Sequence, residues 1–170
     1  MTTEPFSNMD KKILIISPTC KRRLIIQGYQ DYSDKELNDY KYGIRFAYAL
    51  CTSLIALGLI FNNMPLLIIA AAVALAGTFP PYHPFDYLYN YAVRHILNKS
   101  KMPPRANQGR FACGIVTVWL TITIYLLYHN HIIAGYVLGG ILFTLAFLVS
   151  TIDICIPSMI YNSLFKVKKR

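Results

Sequence analysis

Residues 44–79 read IRFAYALCTSLIALGLIFNNMPLLIIAAAVALAGTF, a run with a single charge, Arg45, and one polar break at Asn62-Asn63-Met64. So long an apolar run, broken once by a tight turn, fits two membrane-crossing helices at 44–61 and 65–79. The same arrangement returns at 111–128 and 132–152, around His129-Asn130-His131. A span needs about 20 residues to cross about 30 Å of hydrocarbon. The stretch 65–79 is the short one, yet it carries no charge, and an uncrossed stretch would break the parity of the charge distribution.

That distribution fixes an expected topology. All 17 Lys and Arg residues avoid the two turns: seven lie in 1–43, five in 80–110 and four in 162–170, and Arg45 completes the set. Short loops rich in Lys and Arg stay cytoplasmic, so both termini and the central segment are expected to face inward. The fold class expected is an all-α integral membrane protein of four transmembrane helices, built as two tandem helical hairpins of parallel topology. Its localisation is the inner (cytoplasmic) membrane, multi-pass. No cleavable signal peptide is visible at the N-terminus, so the first span is expected to act as its own signal.

At 170 residues and 55% hydrophobic, the chain reads as one small unit. Its parts are a cytoplasmic segment 1–33, a membrane domain 34–165 and a basic tail 166–170. The net charge of +9 raises nucleic acid as a partner. Its placement beside spans argues against that, because anionic headgroups attract basic residues there at about 1 kcal/mol each. Cys20, Cys51, Cys113 and Cys155 are scattered, and no disulfide framework follows.

Outside the spans, Ile13-Leu14-Ile15-Ile16 and Leu24-Ile25-Ile26 predict a small cytoplasmic β-hairpin that must pack on the membrane domain, on another copy or in a partner's sheet. Ser33-Asp34-Lys35-Glu36 predicts a capping box and a helix starting near Asp34 that runs into the first span despite Gly43. Pro80-Pro81-Tyr82-His83-Pro84 must break the second span. Beyond it Phe85, Leu88, Tyr89, Ala92 and Ile96 share one helical face, with Asp86, Asn90, Arg94 and Asn98 opposite. This predicts an amphipathic interfacial helix over 84–98 at the membrane surface, or one packed on a partner.

The halves echo each other. Arg45-Phe46-Ala47 precedes the first span and Arg110-Phe111-Ala112 the third, while Pro84 and Pro157 open amphipathic segments after the second and fourth. A parallel internal repeat with a pseudo-twofold axis along the membrane normal is expected. Small residues line one face of the second span (Ala70, Ala74, Gly77) and of the fourth (Gly135, Gly139, Ala146, Ser150), for packing between the halves or in a homo-oligomer.

These elements resemble the uncharacterised, mainly bacterial membrane family catalogued as domain of unknown function 4395, over about residues 40–162. Its members show Arg before an Ala-rich first span, Pro-Pro-Arg-Phe-Ala-Gln before the third and a Cys-x-x-Cys-x-Met-Tyr-like element after the fourth. Here Pro103-Pro104 is followed, after an insertion of about five residues, by Arg110-Phe111-Ala112-Cys113-Gly114, and the last element reads Cys155-Ile156-Pro157-Ser158-Met159-Ile160-Tyr161. Cys113 thus stands for the glutamine and Ser158 for the second cysteine. The family's association with thioredoxin-like and sulfurtransferase proteins implies such a partner and thiol chemistry nearby. A Cys-x-x-Ser cannot close its own disulfide, so Cys155 would need another thiol.

The candidate functional residues are Arg45, Arg110, Asp153, Cys155 and Cys113. Asp153 invites a salt bridge with Arg45 or Arg110. The two arginines act as anchors at the membrane surface or as a paired clamp for an anion. Cys155 reads as a buried small residue or a thiol nucleophile, and the nearby carboxylate would raise its pKa. His129 and His131 are too few for a structural zinc site. Phosphate loops, metalloprotease helices and nucleophile elbows are absent from the sequence, so no catalytic, cofactor or metal constellation is expected. The expected function is a non-catalytic membrane scaffold or accessory protein binding lipid and partners through its cytoplasmic face. The rivals are a small oligomeric channel or permease, and a thiol relay through Cys155.

Overall fold

The computed structural model describes residues 16–165. No strand occurs among the described residues, which corrects the N-terminal hairpin. Leu24-Ile25-Ile26 closes helix α1 (Pro18–Ile26), and the partner run lies outside the described residues except for Ile16, which is buried. The cause is local. Pro18 sits at the start of the helix, where its fixed φ suits helical geometry and its missing N–H costs nothing. A short apolar run cannot by itself distinguish strand from helix.

Helix α2 (Asp34–Ile60) begins at the expected capping box. The Glu36 N–H donates to Ser33 Oγ, and the Ser33 N–H donates back to Glu36 Oε2 at 2.9 Å. It runs for 27 residues through Gly43, where Met102 and Tyr89 fill the space a Cβ would need. Helix α3 (Met64–Ala76) is capped by Asn63, whose Oδ1 accepts from the Leu66 N–H at 3.1 Å. Helices α6 (Asn107–Tyr128) and α7 (Ile132–Ile152) form the second hairpin.

Three helices, α2, α6 and α7, are long and apolar enough to cross a membrane. Helix α3 has only 13 residues, about 20 Å at 1.5 Å per residue. It stops three residues before the expected end because Gly77, Thr78 and Phe79 turn away ahead of Pro80-Pro81. Both hairpin turns hold an asparagine in the left-handed region, Asn62 at φ 46° and Asn130 at φ 59°. Asparagine tolerates that region better than other residues with a Cβ.

α2 packs on α3 and α7, and α6 packs on the same two, so the four helices close into a ring. Glycines set the close approaches. Gly58 lies against Leu67, Gly135 against Leu127, and Gly139 against Leu59 and Thr123. Ala70, Ala74, Gly135 and Gly139 are all buried inside this single chain. The core between the helices is Ile55, Leu59, Leu67, Leu120, Leu127 and Leu142. The outer faces are equally apolar, with Ile68, Val118, Ile122, Ile133, Val137 and Phe147 exposed. Helices apolar on every side suit hydrocarbon surroundings.

After α3 the chain forms α4 (Pro84–Leu88), a π-helical turn (Tyr89–Val93) and α5 (Arg94–Leu97). Leu88 and Ile96 face outward as the periodicity predicts. The opposite side is not solvated, however: Asp86 and Asn90 are buried, and so is Tyr89. Asp86 and Asn90 each have a partner inside, as burial demands, whereas the buried Tyr89 hydroxyl has none among the described residues. Helix α8 (Ile156–Leu164) packs on α6, and α4 packs on α2.

Candidate functional site

The chemistry gathers at the end of the bundle opposite the two asparagine turns. Here α3 and α7 terminate, leaving carbonyls with no helical partner. Side chains from other elements fill that need. Arg110, on α6, donates from Nε to the Thr78 carbonyl at 3.1 Å and from Nη2 to that of Phe79. At the end of α7, Arg23 of α1 donates to the Ile152 carbonyl at 2.6 Å and Gln27 to the Asp153 carbonyl at 2.9 Å. Cations at a helix C-terminus also meet the negative end of its dipole.

Asp153 ends α7 in the left-handed region, at φ 60°, and its side chain is 1% exposed. Arg45 holds it with two bonds, Nε to Oδ1 at 2.9 Å and Nη2 to Oδ2 at 2.6 Å. The Cys20 thiol donates to the same carboxylate at 3.4 Å. Burial, and then the Asp153 charge, push the Cys20 thiol above its ordinary pKa. Of the two arginines read as partners for Asp153, Arg45 takes it and Arg110 does not. The arginines occupy corresponding places, each closing the end of the second helix of the opposite hairpin.

A second ion pair lies deeper. Arg105 donates from Nε to Asp86 Oδ2 at 2.7 Å and from Nη2 to Oδ1 at 2.8 Å. The side chains are 3% and 0% exposed. Asp86 Oδ2 also accepts the His83 N–H at 2.9 Å, and the Arg105 N–H donates to the Pro81 carbonyl. The sequence reading placed Asp86 on a helix's outer side and passed over Arg105. A signal was present. The family's Pro-Pro-Arg, with Gln three residues after the Arg, lies on Pro103-Pro104-Arg105-Ala106-Asn107-Gln108 without any insertion.

Arg105 of this pair borders a cavity of about 130 Å³ lined by residues of α2, α3, α6, α7 and α8. Ala47, Ala74, Ala112 and Ala146 leave the space open. Cys51 of α2, Cys113 of α6 and Cys155, the residue that caps α8, reach it beside His83 and Arg105. The His83 Nδ1 accepts the Phe85 N–H at 3.3 Å, which assigns the ring proton to Nε2. That nitrogen faces Cys51 Sγ at 3.8 Å. Burial, and then the Arg105 charge, push the His83 pKa down to about 3, with Asp86 opposing, so the ring is neutral. The Ser158 hydroxyl donates to Cys155 Sγ at 3.1 Å. Even so, burial pushes the Cys155 thiol above its ordinary pKa. A buried protonated thiol is a poor nucleophile. Among the described residues no group of three or more His, Cys, Asp or Glu could hold a metal ion. All four cysteines are free thiols.

The fold and this site define a helical protein with apolar helices of membrane-crossing length, fastened at one end by buried ion pairs. It belongs to the family described as Domain of unknown function (DUF4395), whose model matches residues 41–166. No curated protein and no solved structure matches the chain.

Proposed function

We propose that this is a four-span membrane protein, built by duplication of a helical hairpin, that serves as a non-catalytic platform for partners and anionic lipid at the cytoplasmic face. Four crossings put every Lys and Arg segment on one side, as short cytoplasmic loops require. Helix α3 would cross with the help of its flanking residues and local thinning of the bilayer, which accommodates short spans. Duplication is supported by the contacts: exchanging the two hairpins turns the α2–α7 packing into α6–α3 and the α2–α4 packing into α6–α8.

The observation that carries the platform reading is the fastening of the cytoplasmic end. Arg45–Asp153 and Arg105–Asp86 tie together the end of α7, the first turn of α4 and the loop before α6. Arg23 and Gln27 hold α1 down on the same surface. This end is built as a fixed shape, which suits presentation to a partner. Crosslinking and mass spectrometry on native membranes tests the proposal, with crosslinks to a recurring partner or second copy expected at Lys21, Lys35 and Lys101. Robust solute flux by the purified protein alone in vesicles would overturn it in favour of a permease.

The convergence of three thiols on one cavity favours a second reading, a thiol or sulfur relay with a thioredoxin-like or sulfurtransferase partner. Its test is capture of a thioredoxin-like bait. Wild-type function in a Cys155→Ala variant would end it.

A further inference from the structure

We infer that the cavity between the helices is a binding site for a small, neutral, lipid-soluble ring compound bearing a carbonyl oxygen, of the class of a membrane quinone head group.

Size comes first. The space is about 130 Å³, and apolar cavities of ~150 Å³ take up a benzene ring. It exists because alanines and cysteines occupy positions where leucine would fill a core; α2, α3, α6 and α7 each contribute such a small side chain. Its route of access is apolar. Ile156 and Ile160 line it and are also exposed on the outer surface, at 39% and 44%. A ligand that enters past these isoleucines crosses apolar surface, which suits a lipid-soluble compound.

The polar groups set the chemistry. His83 is 2% exposed, and the nearest acceptor for its Nε2–H is a sulfur 3.8 Å away. Sulfur is a weak acceptor at that distance. Arg105 spends Nε and Nη2 on Asp86, and its guanidinium also lies within hydrogen-bonding reach of the Cys113 sulfur. Two N–H donors that meet sulfur inside the cavity thus border an apolar space, and oxygen is a stronger acceptor than sulfur for each of them. Asp86 cancels the arginine charge, so the site favours a neutral acceptor over an anion. A carbonyl on an apolar ring satisfies both donors, while the polarisable cysteine sulfurs contact the ring.

The test uses the chain's one tryptophan, Trp119, which lines the cavity. Purified full-length protein in lipid nanodiscs is titrated with duroquinone, whose substituted ring does not add to thiols. Saturable quenching of Trp119 emission and a rise in unfolding temperature are expected. Ala146→Leu, which fills the space, should abolish the saturable component while unfolding cooperatively. His83→Leu, which removes one donor, should weaken it about tenfold. Durene, the same ring without carbonyls, should compete at least about tenfold less well. Quenching that rises linearly in wild type and in both variants alike would show partition into lipid only and overturn the assignment. Equal competition by durene would overturn the carbonyl requirement. If Ala146→Leu fails to fold, His83→Leu and durene still decide the outcome.

Discussion

Replacing Asp86 by leucine tests how the buried ion pair holds the bundle end together. The substitution strands Arg105, whose side chain is 3% exposed, and strips the His83 N–H of its acceptor. Breaking one side of a buried pair costs about 3–5 kcal/mol, because the surviving charge has no solvent to turn to. Adding Arg105→Met removes the stranded charge at similar volume. What remains is the unpaired His83 N–H, about 1–3 kcal/mol. The double variant should therefore be more stable than Asp86→Leu alone, though it carries twice the changes. Asp153→Asn is the contrast. Arg45 is 39% exposed and can swing out, and asparagine keeps the left-handed φ of 60°, so the cost should be only about 1 kcal/mol. Denaturant unfolding in detergent, followed by Trp119 emission and helical circular dichroism, measures all three. A double variant weaker than Asp86→Leu, or an Asp86→Leu no weaker than Asp153→Asn, refutes the reasoning.

The neutral His83 gives a pH signature. With its folded pKa pushed below the unfolded value, it contributes stability above the unfolded pKa, and that stability is lost as pH falls toward about 3. Between pH 6.5 and 5 the loss should be about 1.6 kcal/mol, because the slope reaches about 1.36 kcal/mol per pH unit only below the unfolded pKa, and unfolding curves of a His83→Asn variant should not shift that way. Cys20 is half-buried and Cys155 buried, so alkylation of the folded protein should modify Cys20 first; mass spectrometry of timed aliquots reads the order. A Cβ at Gly77 would collide with the His83 ring, so Gly77→Ala should cost about 1–3 kcal/mol in the same unfolding assay. Tags at residues 1, 100 and 170 should all be shielded from a membrane-impermeant reagent in intact cells, and labelling at 100 from outside would break the four-crossing topology.

Much of the framework was legible because it rests on local chemistry. The Ser33–Glu36 capping box, the turns at Asn62 and Asn130 and the apolar helix at 132–152 each follow from a few neighbouring residues. The Arg45–Asp153 pair was half legible: one buried carboxylate needs a cation, but choosing between Arg45 and Arg110 requires knowing which helix end each one reaches. The hairpin at 12–29 misled because Leu24-Ile25-Ile26 is too short for its period to show, and Pro18 carried the stronger message. Asp86, Asn90 and Arg105 were missed for a different reason. Polar residues opposite an apolar stripe read as solvated. Here the stripe faces outward and the polar side packs against the protein, a choice made only by the loop that brings Arg105 back 19 residues later.

The reach of Arg45 has a consequence for biosynthesis. Its carboxylate partner lies 108 residues further along the chain. Throughout translation of the intervening helices the guanidinium lacks that carboxylate. Only when the last helix is delivered does that charge find Asp153, and the pair becomes the bolt that closes the finished chain.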